Sequence, residues 1–273
     1  MKQAARALAS AAVLVGCIAP PPATKPEAGP APVATHTQAT GPAPPRQCSW
    51  PNGAVAAVSL TYDDALASQL KYAVPVLDRY GLKATFFLSG VSMQAFAPLA
   101  KSGHELASHT VHHPCNPGLA QLGLDEMATE LDAGSAAVQA LGVSGKLTFA
   151  YPCGQSHLKS MESYVPLVQA RFRAARGVGA ASALPQTVDL FNVPALFPPS
   201  SSDGSDVIAF VEGAVQSHGW AVIGVHGVSE AGEYLQLSQP AHDKIVQYLA
   251  DHEAAIWTAP FGAVADQVTA CQN

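Results

Sequence analysis

A chain of 273 residues, 48% hydrophobic and only 12% charged, has the material for one large buried core, which excludes global disorder. A net charge of −6, without any Lys/Arg run, excludes the clustered basic surface that nucleic acid or an anionic membrane demands. A neutral or weakly charged partner, such as a sugar polymer, fits this balance.

At the N-terminus, Lys2 and Arg6 precede an apolar run over 7–15. The run is too short for a membrane span of about 20 residues, but it suits the h-region of a signal peptide. It ends in Leu14-Val15-Gly16-Cys17, which resembles the lipobox of bacterial lipoproteins. That resemblance implies a signal peptide over 1–16 and a lipid on Cys17; ordinary secretion with an incidental cysteine is the alternative. Ile18, where an acidic residue would oppose it, implies outer-membrane sorting if the cell is Gram-negative. Residues 17–47, rich in Pro, Ala, Thr and Gly, bury too little to offset their ordering entropy and read as a tether. Membrane contact is expected through the anchor only, and the oligomeric state is open.

Five cysteines occur, and setting Cys17 aside leaves four, with three possible pairings. Cys48 and Cys271 flank the folded region and are paired as a clasp on its ends. Cys115 and Cys153 then pair by elimination. The competing reading joins both to His109 and His113 in a Cys₂His₂ zinc site; the availability of an acidic ligand counts against it.

From residue 54 short apolar runs alternate with amphipathic stretches. Strands are expected over 54–61, 84–88, 105–108, 147–151, 174–178, 188–193, 220–225 and 255–258. Helices are expected over 67–80, 96–101, 125–141, 160–173, 205–216 and 240–251, with a short terminal helix last. About seven repeated strand-then-helix units without a dinucleotide-type glycine fingerprint predict a parallel sheet closed or partly closed into a (β/α) barrel, one domain over 48–273. In such barrels the C-terminal strand ends converge on one mouth. Asp63-Asp64, His109, Tyr151, Arg176 and His226 all fall at such ends.

Taken singly these residues are ambiguous. Paired acids often cap helices, and His109 and His113, four apart, suit chelation but share their stretch with His112. Pro152-Cys153-Gly154 reads as a tight turn that could aim amides inward, or as a plain βα turn. His226 alone reads as a structural histidine.

In order, however, they resemble the polysaccharide deacetylase family (carbohydrate esterase family 4) over about 54–268. Thr61-Tyr62-Asp63-Asp64 corresponds to its T-[FY]-D-D motif, and His109-Thr110-Val111-His112-His113 to H-[ST]-x-x-H, with Pro114 setting the register. Residues 150–154 fall on R-x-P-x-G, and 223–226 on L-x-L-H in softened form. The resemblance implies a distorted (β/α) barrel of about seven parallel strands as a single catalytic domain, and a divalent metal, zinc or alternatively Co, Ni or Mn, held by Asp64, His109 and His113. It further implies Asp63 as general base, His226 as general acid and the backbone N–H of Cys153 at the oxyanion. The implied substrate is an acetylated polysaccharide, with N-acetyl removal from an amino-sugar polymer at the cell envelope as the first expectation. An O-acetyl (xylan-type) esterase and a catalytically silent carbohydrate-binding lipoprotein are the alternatives. Two departures stand out. The motif arginine that orients the base is Ala150 here, with Arg176 the candidate replacement. No acid followed by Trp matches the fourth motif, Asp189 being the nearest acid.

Overall fold

The computed structural model describes residues 48–115, 121–229 and 235–273. Cys17, the segment 1–16 and the tether 17–47 lie outside the described residues.

Among the described residues seven strands, β1 (Ala56–Asp63), β2 (Thr85–Leu88), β3 (Glu105–Ser108), β4 (Thr148–Ala150), β5 (Ala174–Arg176), β6 (Trp220–Val225) and β7 (Ile256–Thr258), form one all-parallel sheet in the order β5-β4-β3-β2-β1-β6. β7 pairs with the start of β1, below the stretch that β2 takes. Among the described residues six α-helices carry the C-terminus and every crossover but that from β2 to β3: α1 (Val74–Arg79), α2 (Leu124–Gln139), α3 (Val165–Arg171), α4 (Ser205–Ser217), α5 (Gln239–Asp251) and α6 (Phe261–Gln272). The expected curled (β/α) barrel is what forms. Among the described residues no helix is long and apolar enough to cross a membrane.

The alternation of side chains along each strand sorts two cores. Val58, Leu60, Tyr62, Phe86, Leu88, Leu106, Phe149 and Ile223 pack outward with the helices. Ala57, Phe87, Ala107, Ala150, Ala174, Trp220 and Val222 fill the inside of the sheet, with Phe261 of α6 packed edge-on to Phe87 at its lower end. Asp63, two residues beyond Thr61 on β1, Arg176, two beyond Ala174, and His109 and His226, next in the same alternation, therefore belong to the inner face at its upper rim.

The expected strand over 188–193 is the main correction. No regular strand forms there; an irregular segment accepts and donates single bonds on both sides. Val193 N–H bonds Ala175 O (3.0 Å) and Val193 O takes Gly177 N–H (2.8 Å), while Leu196 N–H bonds Val222 O (2.9 Å) and Leu196 O takes Gly224 N–H (2.8 Å). The segment thus spans the gap between β5 and β6 and closes the curl. Its three prolines in 194–199, Pro194, Pro198 and Pro199, lack the N–H a ladder needs. Its Phe197 ring fills the space where a Cβ on Gly224 would sit, 2.2 Å from the ring's edge.

Smaller differences are local. The first strand runs on to Asp63 because Thr61, Tyr62 and Asp63 pair with β2. The 67–80 helix opens with a π-turn, Gln69–Ala73, before α1. The 96–101 helix is part of a 3₁₀ run over Val91–Lys101. Only Val165–Arg171 of 160–173 is α-helical, with Pro166 in its first turn. The terminal helix spans Phe261–Gln272 and is not short.

Both expected disulfides are present, Cys48–Cys271 and Cys115–Cys153. The Cys₂His₂ reading is thereby set aside, since neither sulfur of the second pair is a thiolate. Mass spectrometry of unreduced peptides from the exported protein should recover both linked pairs; free thiols at Cys115 and Cys153 would contradict the second.

Candidate active site

The rim of the barrel gathers Asp63, Asp64, His109, His113, Tyr151, Cys153, Arg176, Phe197 and His226 around one cavity of about 280 Å³. A larger hollow of about 560 Å³, around Trp257 and Asn52, holds none of them.

Three donors converge. Asp64 follows the end of β1 with φ 75°, its amide held by Phe87 O (3.1 Å), so the chain turns and aims the carboxylate across the mouth. His109 follows β3 and is buried; its Nδ1 lies 2.7 Å from Ala150 O. A carbonyl only accepts, so Nδ1 carries the proton and Nε2 presents its lone pair to the cavity. Burial, then His113 and Arg176, push the His109 pKa down to about 3, so the ring is neutral as a ligand must be. His113 returns to the same point, its Nε2 3.0 Å from His109 Nε2. Asp64 Oδ1 lies 3.8 Å from His109 Nε2 and 3.5 Å from His113 Nε2. Bonds of about 2.0 Å in a tetrahedral site give donor separations of about 3.3 Å. Two imidazoles and a carboxylate at these spacings therefore fit a divalent cation. Asp64, Ala65, Thr110, His113 and Cys153 are all non-glycine residues at positive φ, a clustering of backbone strain found at functional sites.

The register question at the second motif resolves in geometry. His112 turns outward, its Nδ1 2.6 Å from Glu130 Oε1 on α2. His113 turns inward, its amide bonding Thr110 Oγ1 (3.1 Å). α2 approaches this loop at Gly134, where an added Cβ would lie 2.9 Å from Thr110 Cα and from Ser108 Oγ. Gly134→Ala must push the loop's backbone; a loss of about 1–3 kcal/mol of stability together with weaker metal binding is expected, checked by thermal melting and zinc titration.

Beside the donors lies a buried ion pair. Arg176 Nη2 donates to Asp63 Oδ2 at 2.6 Å, both side chains almost fully buried. The guanidinium also bonds Gly177 O (3.3 Å) and sits 5.1 Å from the Phe87 and 5.0 Å from the Phe197 ring centroid. Asp63 Oδ1 is buried and has no hydrogen-bond partner among the described residues. Arg176 is the cross-strand partner of Ala150 in the β4–β5 register. A cation absent from the third-motif position thus stands on the neighbouring strand, on the same face.

His226 follows β6, Nε2 3.7 Å from Asp64 Oδ2, its ring against Phe197. Cys153 sits at φ 53° in the turn Pro152–Gly154 and lines the cavity; the amides of Gly154 and Gln155 are used within that turn, bonding Tyr151 O and Pro152 O. Asp189 is exposed and accepts the Phe191 amide (2.8 Å), apart from the cavity. Phe197, Val178 and Leu235, which also line the cavity, were not anticipated: each is an apolar residue in an irregular segment, with no chemical signature.

Residues 51–165 match the family model described as polysaccharide deacetylase. A curated relative, the uncharacterized protein YlxY of Bacillus subtilis (strain 168), is 33% identical over 90 residues, 31% of this chain but only 27% of that protein. A Mycobacterium smegmatis structure provisionally named a polysaccharide deacetylase superposes with TM-score 0.58 at 19% identity, covering 84% of this chain and 95% of that one. The Bc1960 peptidoglycan N-acetylglucosamine deacetylase gives 0.52 at 24%, covering 76% and 87%. A family 4 acetyl xylan esterase from Clostridium thermocellum, solved with a cobalt ion, gives 0.51 at 19%, covering 78% and 91%. These three likenesses establish the shared fold. The family match spans the strands that carry Asp63, Asp64, His109, His113 and Cys153, so the part of the chain that builds most of the site is similar to the polysaccharide deacetylase family.

Proposed function

We propose that this chain is a metal-dependent hydrolase that removes N-acetyl groups from an amino-sugar polysaccharide at the cell envelope. One juxtaposition carries the reading: three metal-type donors beside a buried carboxylate that is paired through one oxygen and bare on the other. A binding module has no use for that arrangement, since an unbonded buried carboxylate oxygen is destabilising unless it has work to do.

Asp64, His109 and His113 would hold the metal, which supplies Lewis acidity toward the acetyl carbonyl. Zinc suits two imidazoles and a carboxylate; cobalt, nickel or manganese are alternatives. Asp63 takes a proton from the attacking water at its bare Oδ1, while Arg176 keeps Oδ2 fixed. The Cys153 amide faces the oxygen on which negative charge develops. His226, protonated at Nε2, gives a proton to the departing sugar amine.

The same machinery serves an O-acetyl group, and the acetyl xylan esterase among the structural neighbours keeps that second reading alive. The envelope location rests on the signal segment and Cys17 alone, with the lipid as the sole membrane contact. Zinc-loaded protein should release acetate from chitin oligomers or peptidoglycan faster than from acetylated xylan, and chelation should abolish release until metal is restored. Full metal loading with no acetate from any of the three would overturn the enzymatic reading.

A further inference from the structure

We propose that Ser68 and Gln69 are positioning residues that hold His226 for proton delivery, an inference that rests on the deacetylase reading above. The β1–β6 ladder ends at the pair Tyr62–Val225, so His226 has already left the sheet. A residue just past a ladder has no neighbouring strand to fix its backbone. Here two consecutive side chains take over. Gln69 Nε2 donates to His226 O at 2.8 Å, and Ser68 Oγ accepts the Val228 N–H at 3.3 Å. The peptide units on the C-terminal side of His226 are therefore gripped at two points. Gln69 Nε2 also donates to Asp63 O at 2.5 Å, so one amide spans the ends of β1 and β6 that carry the base and the acid.

Two further observations favour a functional tie over simple packing. Gln69 opens the π-turn Gln69–Ala73, a wider turn than the α-helix and one that recurs at functional sites. Its side chain is fully buried, yet Oε1 has no hydrogen-bond partner among the described residues. Burial of a half-bonded amide is destabilising, and an apolar side chain of similar volume would avoid it. Asp63 does not depend on Gln69 alone, because its carboxylate is held by Arg176 and its backbone pairs with Phe87 in β2.

The test separates acid delivery from everything else by leaving group. A sugar amine must be protonated to depart, whereas 4-nitrophenolate leaves without a proton. Gln69→Leu and, more mildly, Ser68→Ala are compared with wild type on an N-acetylglucosamine oligomer and on 4-nitrophenyl acetate, with zinc affinity and melting temperature measured in parallel. For Gln69→Leu, kcat on the amide should fall about 10- to 100-fold, and by about tenfold more than kcat on the ester, with zinc affinity retained. Ser68→Ala should show the same selectivity at smaller amplitude. Equal losses on both substrates, or none on either, would overturn the positioning role. A wild-type protein that binds zinc and cleaves neither substrate would instead overturn the deacetylase reading, and this inference with it.

Discussion

Arg176→Ala should lower kcat/KM about 100-fold or more while the protein still binds one metal ion. The guanidinium is the counter-charge to a carboxylate buried at the barrel rim, at 2.6 Å. Removing one partner of a buried pair costs about 3–5 kcal/mol, because the other charge is left unsolvated. Asp63 then either binds a proton or swings toward water, and in both cases the base is lost from its place; misplacement by about 1 Å is enough for a 100-fold effect. Arg176→Lys restores charge but neither the second bond to Gly177 O nor the planar fit beside Phe87 and Phe197, so it should recover only part of the rate. The sharper check is Ala150→Arg combined with Arg176→Ala. Residues 150 and 176 are register partners on one face, so an arginine restored to the third-motif position should regain activity that the single variant lost. Activity of Arg176→Ala within about twofold of wild type would remove the ion pair from the mechanism.

Asp64→Ala and His113→Ala should weaken zinc binding by more than about 100-fold, beyond what changes outside the ligand set produce, and turnover should fall with it. Asp63→Asn should behave in the opposite sense: metal retained, turnover down by about 10²- to 10⁴-fold. The distinction follows from position. Asp64 Oδ1 is 3.5 Å from His113 Nε2, whereas Asp63 spends Oδ2 on Arg176 and keeps a bare oxygen for a proton. Isothermal titration of each variant with zinc, beside acetate release, reads both halves. Asp63→Asn losing its metal, or Asp64→Ala keeping it, would exchange the two roles.

Much of this site was legible along the chain because its parts are local. His109 and His113 share one turn; Asp63 and Asp64 are neighbours at a strand end, where alternation decides which residue faces the barrel. With Cys17 set apart, the clasp was read from Cys48 and Cys271 flanking the folded region, and the second disulfide followed by elimination. The strand expected over 188–193 failed for a local reason as well: Val188, Leu190 and Val193 carry strand-like side chains, but the prolines just beyond them forbid a ladder, and the segment meets two strands through isolated bridges instead.

By itself, then, the amino-acid sequence determined the parallel barrel, the mouth at which Asp63, Asp64, His109, His113, Cys153 and His226 meet, and the resemblance to polysaccharide deacetylases. Strand periodicity and short-range spacing are properties of neighbouring residues, and they survive without coordinates. The tertiary structure turned Arg176 from a candidate into the partner of Asp63, 113 residues away, and alone showed that Gln69 reaches His226, 157 residues away, and that His112 is turned outward onto Glu130 of α2. Each of those depends on register between strands or on a helix crossing a loop, and an isolated pattern of residue types carries no record of either.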